Sequence, residues 1–143
     1  MLAITTKIFI IYTDIMNNIQ KRFMLFLLGC IPTRLFLVYL AKNIPVNYLP
    51  VLGYISLLPA IGFIYLFLSG TRKSGPETFG DKIWWNNLRP VHAVFYLLFS
   101  YNAINKVKDS WIYLLYDVIF GLISFLIYHY INNDFTALHI YTI

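Results

Sequence analysis

Four apolar stretches, residues 21–41, 48–68, 88–104 and 110–130, occupy most of this 143-residue chain. A hydrocarbon core of about 30 Å takes roughly 20 helical residues to cross. Each stretch approaches that length, so the pattern fixes the solvent before anything else. Lipid offers no water to a backbone N–H or C=O group, and a helix satisfies its own within one segment. The sequence therefore predicts an all-α protein, a four-helix transmembrane bundle with antiparallel neighbours.

Charge content agrees. Charged residues make up 12% of the chain, against about 25% in soluble domains. In water such a chain would expose large apolar patches. The net charge of +5 raises nucleic acid as a partner. The basic residues flank the apolar stretches instead of forming one patch, so they read as topology signals and contacts to anionic lipid headgroups. Cys30, the single cysteine, lies inside the first stretch. It can form no intramolecular disulfide, and no Cys/His metal spacing or cofactor motif is present.

One domain is expected: a leader (1–20), a membrane domain (21–130) with one long loop (69–87), and a tail (131–143). The leader's apolar run, Ile8–Tyr12, is too short to span a bilayer, and no signal-type cleavage site follows. It reads as an interfacial or disordered segment, with Met16 a second candidate start. Pro50 and Pro90 suit first-turn positions. Pro32 and Pro59 fall inside spans, where neighbours must satisfy the freed carbonyls. Gly53 and Gly62 permit close helix approach. Ser110 suits an N-cap.

Orientation follows from the cations. Lys7, Lys21, Arg22, Arg72, Lys73, Lys82 and Arg89 fall on one side, and Lys42, Lys106 and Lys108 on the other. The excess predicts that both termini and the long loop face the cytoplasm. Trp84 and Trp85 then sit at the interface.

Arg34 and Asp117 are charges inside the first and fourth spans. Each lies seven residues from the outer end of its span, which places both about 10 Å below that boundary. An isolated charge there costs about 2.5–3.5 kcal/mol on insertion scales, so the two are expected to pair. The pair reads as a structural staple or as an ion or proton site. Thr33, Tyr39, Ser100, Asn102 and Tyr116 are candidates to complete a polar cluster around it.

The long loop is the second candidate site. Arg72, Lys73, Trp84, Trp85, Arg89 and His92 could recognise a lipid headgroup, with Glu77 and Asp81 as a further pair of carboxylates. The phosphate-loop pattern GxxxxGK[ST] is absent. Thr78-Phe79-Gly80-Asp81 echoes a potassium-channel filter, but Pro76 interrupts the pore helix such a filter follows. No catalytic triad, HExxH or multi-histidine motif is present.

The segments Cys30-Ile31-Pro32-Thr33-Arg34, Pro76-Glu77-Thr78-Phe79-Gly80 and Trp84-Trp85-Asn86-Asn87-Leu88-Arg89-Pro90-Val91-His92 carry a resemblance. Together they resemble small uncharacterised multi-pass membrane proteins of large DNA viruses. The resemblance implies a viral or host-organelle membrane and no catalytic residue. The leading expectation is a non-enzymatic role in membrane organisation, assembly or partner binding, alone or in a homo- or hetero-oligomer. The alternatives are a small transporter or channel subunit using Arg34 and Asp117, and a lipid-headgroup-binding enzyme using residues 69–92.

Overall fold

The computed structural model describes residues 16–139. These form an all-helical bundle of four main helices: α1 (Asn18–Asn43), α2 (Leu49–Ser69), α3 (Arg89–Ile104) and α4 (Trp111–Ile131). Three segments are long and apolar enough to cross a membrane: α1, α2 with its leading turn (Val46–Ser69), and α4 with its leading turn (Lys108–Ile131).

α1 begins at Asn18, earlier than the expected boundary at residue 21. Asn17 and Gln20 form a capping box, each side chain accepting from the other's backbone N–H. That satisfies two of the donors a helix start leaves open. Residues 1–15 of the leader lie outside the described residues. Within α1, Leu25–Cys30 is π-helical, and the Ile31 N–H reaches back to the Phe26 carbonyl. Pro32 follows directly and has no N–H to donate, so the wider turn takes up the mismatch.

α3 is the exception among the four expected spans. Its 16 residues cover only about 24 Å, less than the hydrocarbon thickness. A 3-10 turn, Trp85–Leu88, leads into it and adds about 8 Å. Two other local expectations change. Ser110 does not cap α4: it is already in the right-handed helical conformation and makes no side-chain cap bond. Gly62 faces open space, whereas Gly53 is a contact residue.

Helix packing follows the order α1–α4–α3–α2, with α2 and α3 forming the most extensive pair. A Cβ at Gly53 would lie 3.0 Å from the Ser100 carbonyl oxygen and 3.1 Å from Ala103 Cβ. Only a residue without one lets the two backbones approach so closely. Phe99, Leu49, Ala60, Leu114 and Val118 form the buried centre. α2 turns Leu58, Tyr65 and Leu68 outward, as a lipid-facing helix does.

The two ends differ. At the end with the short connections, Lys108 Nζ donates to the Ile44 carbonyl at 3.1 Å, and Lys42 lies over Trp111. At the loop end, Phe23 packs against Phe125, His129 and Phe135, and Trp84 stacks on Tyr128. The Asn17 amide donates to the Ala137 carbonyl at 2.8 Å, which ties the turn Thr136–His139 to the start of α1. α1 and α2 scarcely touch. The bundle is open along that side.

Candidate functional site

Arg34 of α1, His92 of α3 and Asp117 of α4 meet where these three helices converge. Arg34 Nη1 donates to Asp117 Oδ2 at 2.8 Å, and His92 Nδ1 contacts the other oxygen, Oδ1. Arg34 Nη1 also lies 3.1 Å from His92 Nδ1. Asp117 is 1% exposed. An ionised carboxylate only accepts, so His92 Nδ1 donates to Oδ1 in the tautomer that carries a proton there, and accepts from Arg34 in the tautomer that does not. The cluster is then formally neutral.

Packing holds the arrangement. The rings of Phe63 and Phe120 flank His92. A Cβ at Gly121 would sit 3.4 Å from His92 Cε1 and 3.6 Å from Arg34 Nη1, so the absence of a side chain gives both groups room beside α4.

The sequence pairs Arg34 with Asp117 but reads His92, one turn into the third span, as facing the long loop and not the pair. The reason lies in α3. Trp84 and the turn Trp85–Leu88 pack into the loop end, and His92, one turn into α3, is already buried against Asp117. A periodic signal was present: His92, Tyr96, Phe99 and Ala103 follow helical spacing, and all are buried.

The expected polar cluster does not assemble around the pair. Thr33 donates to the Gly29 carbonyl, Ser100 to that of Tyr96, and Asn102 to that of Leu98. Each bonds one turn back on its own helix, the nearest acceptor available to it. Tyr39 and Tyr116 are exposed on the bundle surface.

The loop residues do not gather into one site either. Arg72 pairs with Glu77 at 2.5 Å, and Asp81 pairs with Arg22. Arg22 also donates to the Thr78 carbonyl at 2.5 Å, anchoring the loop to α1. The Lys73 carbonyl accepts from the Ile83 N–H. Arg89 is buried and donates to Asn86 Oδ1 at 2.6 Å. Glu77 and Asp81 thus pair with Arg72 and Arg22, while Trp84, Trp85, Arg89 and His92 line one cavity with Arg34, so the expected residues of the loop divide between two places. Phe79 and Gly80 take positive φ and close a tight turn, with the Asp81 N–H donating to the Thr78 carbonyl.

The open side between α1 and α2 holds a cleft of about 630 Å³ that reaches Arg34. A smaller cavity of about 120 Å³ adjoins it and is lined by Arg34, His92 and Arg89. Among the described residues no three His, Cys, Asp or Glu side chains are grouped to hold a metal ion. No protein-family model, curated protein or solved structure matches this chain.

Proposed function

We propose that the chain is an integral multi-pass membrane protein with a non-enzymatic role in membrane organisation, assembly or partner binding. Asp117 is the observation that carries this reading. Its carboxylate is almost fully buried and gives one oxygen to α1 and the other to α3. A group used in this way joins helices and is not presented to a substrate. The excess of cations at the loop end supports a placement with both termini in the cytoplasm.

The test is native mass spectrometry after extraction into native-lipid nanodiscs. A second copy or a protein partner bound in fixed stoichiometry is the expected result. A strictly monomeric, partner-free chain that turns over a lipid substrate would overturn the proposal.

A second reading, a small transporter or channel subunit, is favoured by the cleft that reaches Arg34. It requires that proteoliposomes containing the chain conduct protons or anions, and that Arg34→Leu with Asp117→Leu abolishes the flux. Liposomes no leakier than empty ones would dispose of it.

A further inference from the structure

Arg89 is a buried cation without a carboxylate. The residue is 2% exposed, yet it enters no ion pair among the described residues. Its Nη1 donates to Asn86 Oδ1 at 2.6 Å and to the Leu66 carbonyl at 3.5 Å. Both acceptors are neutral. The described acids are engaged elsewhere: Asp81 with Arg22, Glu77 with Arg72, Asp117 with Arg34 and Asp134 with His129. Asp109 lies in the turn that leads into α4, at the opposite end of the bundle. Glu77 acts on Arg89 through space, but Arg72, bound to Glu77, opposes it. Arginine cannot shed its proton as a buried lysine or histidine does. A buried charge left uncompensated is strongly unfavourable, so Arg89 calls for an anion.

The place for it is the cavity of about 120 Å³ that Arg89 lines with Trp84, Trp85, His92 and Arg34. Nε and Nη2 of Arg89 make no hydrogen bond among the described residues, and neither is sealed off by protein atoms. Water satisfies open donors but leaves the charge standing. Arg34 is already neutralised by Asp117, so Arg89 supplies the net charge here. Arg22, at the mouth of the larger cleft, also has an unpartnered Nε, but Asp81 meets its charge. Two features select phosphate as the anion. The Leu66 carbonyl that Arg89 reaches is three residues from the loop-side end of α2, about 4.5 Å along the helix. The two indoles beside it are of the interfacial type, and lipid phosphates lie in that zone. A phosphate diester also stays ionised where a buried carboxyl group takes up a proton.

We propose that this cavity holds the phosphate of a membrane lipid on the Nε–Nη2 edge of Arg89, with an acyl chain in the adjoining cleft. The guanidinium fork matches two phosphate oxygens with parallel hydrogen bonds. Phe26, Cys30, Phe63 and Trp85 line both spaces, so the apolar cleft begins beside the phosphate position. From Leu25 to Leu37 its wall follows α1 for about 18 Å, more than the roughly 15 Å of hydrocarbon in one leaflet. The proposal rests on the chain lying in lipid. Failure of that premise would show separately, as release of the chain into the aqueous phase on alkaline carbonate extraction.

The test uses the full chain, delipidated in detergent, with phosphatidylglycerol, diacylglycerol of the same acyl chains, oleate and inorganic phosphate as probes. Native mass spectrometry should find one phosphatidylglycerol per chain. Diacylglycerol should bind roughly tenfold to a hundredfold more weakly, the change expected on losing charge-assisted hydrogen bonds. Arg89→Gln should bind the two lipids alike. Cys30 is exposed and lines both spaces, so bound phosphatidylglycerol should slow its alkylation by N-ethylmaleimide severalfold. That readout uses the unaltered chain and stays decisive if Arg89→Gln fails to fold. Equal binding of phosphatidylglycerol and diacylglycerol, tighter binding of oleate, or an unchanged alkylation rate with phosphatidylglycerol bound would each overturn the proposal. So would uptake of inorganic phosphate in preference to the lipid, a folded Arg89→Gln that keeps the lipid preference, or a lipid-free dimer in which Cys30 is protected by a second copy.

Discussion

Asp117 pairs with a guanidinium and contacts an imidazole from two other helices while lying almost wholly out of solvent. Removing one partner from such a buried group leaves an uncompensated charge, at a cost of about 3–5 kcal/mol. Asp117→Leu alone is therefore expected to destabilise the bundle by roughly that amount, read as denaturant unfolding in micelles. Arg34→Leu combined with Asp117→Leu should recover much of the loss, because neither member of the ion pair is then left without the other. A double variant no more stable than Asp117→Leu would show that the two side chains are not energetically coupled. Gly121 belongs to the same junction. A Cβ at Gly121 would already touch His92 and Arg34 at 3.4 and 3.6 Å, so the branched side chain of Gly121→Val is expected to cost about 1–3 kcal/mol from overpacking.

At the level of elements, α2 and α3 form the tight pair and α1 and α2 the open one. Two glycines on α2 separate these situations. Gly53→Leu would drive a side chain into the Ser100 carbonyl and Ala103, and a loss of about 1–3 kcal/mol is expected. Gly62→Leu projects into open space and should leave the unfolding midpoint within error of the parent. Similar effects from both would contradict the packing order α1–α4–α3–α2. The start of α1 gives a third contrast. Asn17 caps the helix and also holds the Ala137 carbonyl. Asn17→Ala should cost about 1 kcal/mol as a lost cap and increase amide exchange in the turn Thr136–His139.

For the whole molecule the charge asymmetry makes a topological prediction. With Cys30→Ser as background, Ser74→Cys on the long loop should react with an impermeant maleimide only from the cytoplasmic side. Asn105→Cys, in the short α3–α4 connection, should react only from the opposite side. Labelling of both positions from one side would invalidate the orientation derived from the lysines and arginines. Much of this architecture was legible in the chain. The lengths of the apolar runs and their proline and glycine punctuation mark the helices, and the short links at residues 42–47 and 105–109 make neighbours antiparallel. The site was legible only in part. Equal distance from the ends of two spans brings Arg34 and Asp117 level, but residue counting assumes that every span begins at the membrane boundary. His92, one turn into α3, is buried against Asp117, a contact set by how the helices pack and not by its count from the end of a span. Thr33, Ser100 and Asn102 were misassigned for another: a carbonyl one turn back lies closer than any partner across the helix interface.

Composition and periodicity determined the solvent, the helical class and the need to compensate two buried charges, because these depend on transfer free energies that each segment carries alone. The tertiary fold decided that a histidine would share the carboxylate, that the loop's charges would pair off locally, and that α1 and α2 would stand apart. Those outcomes depend on which side-chain surfaces interlock, and the cleft beside Arg34 exists only because one pair of helices does not.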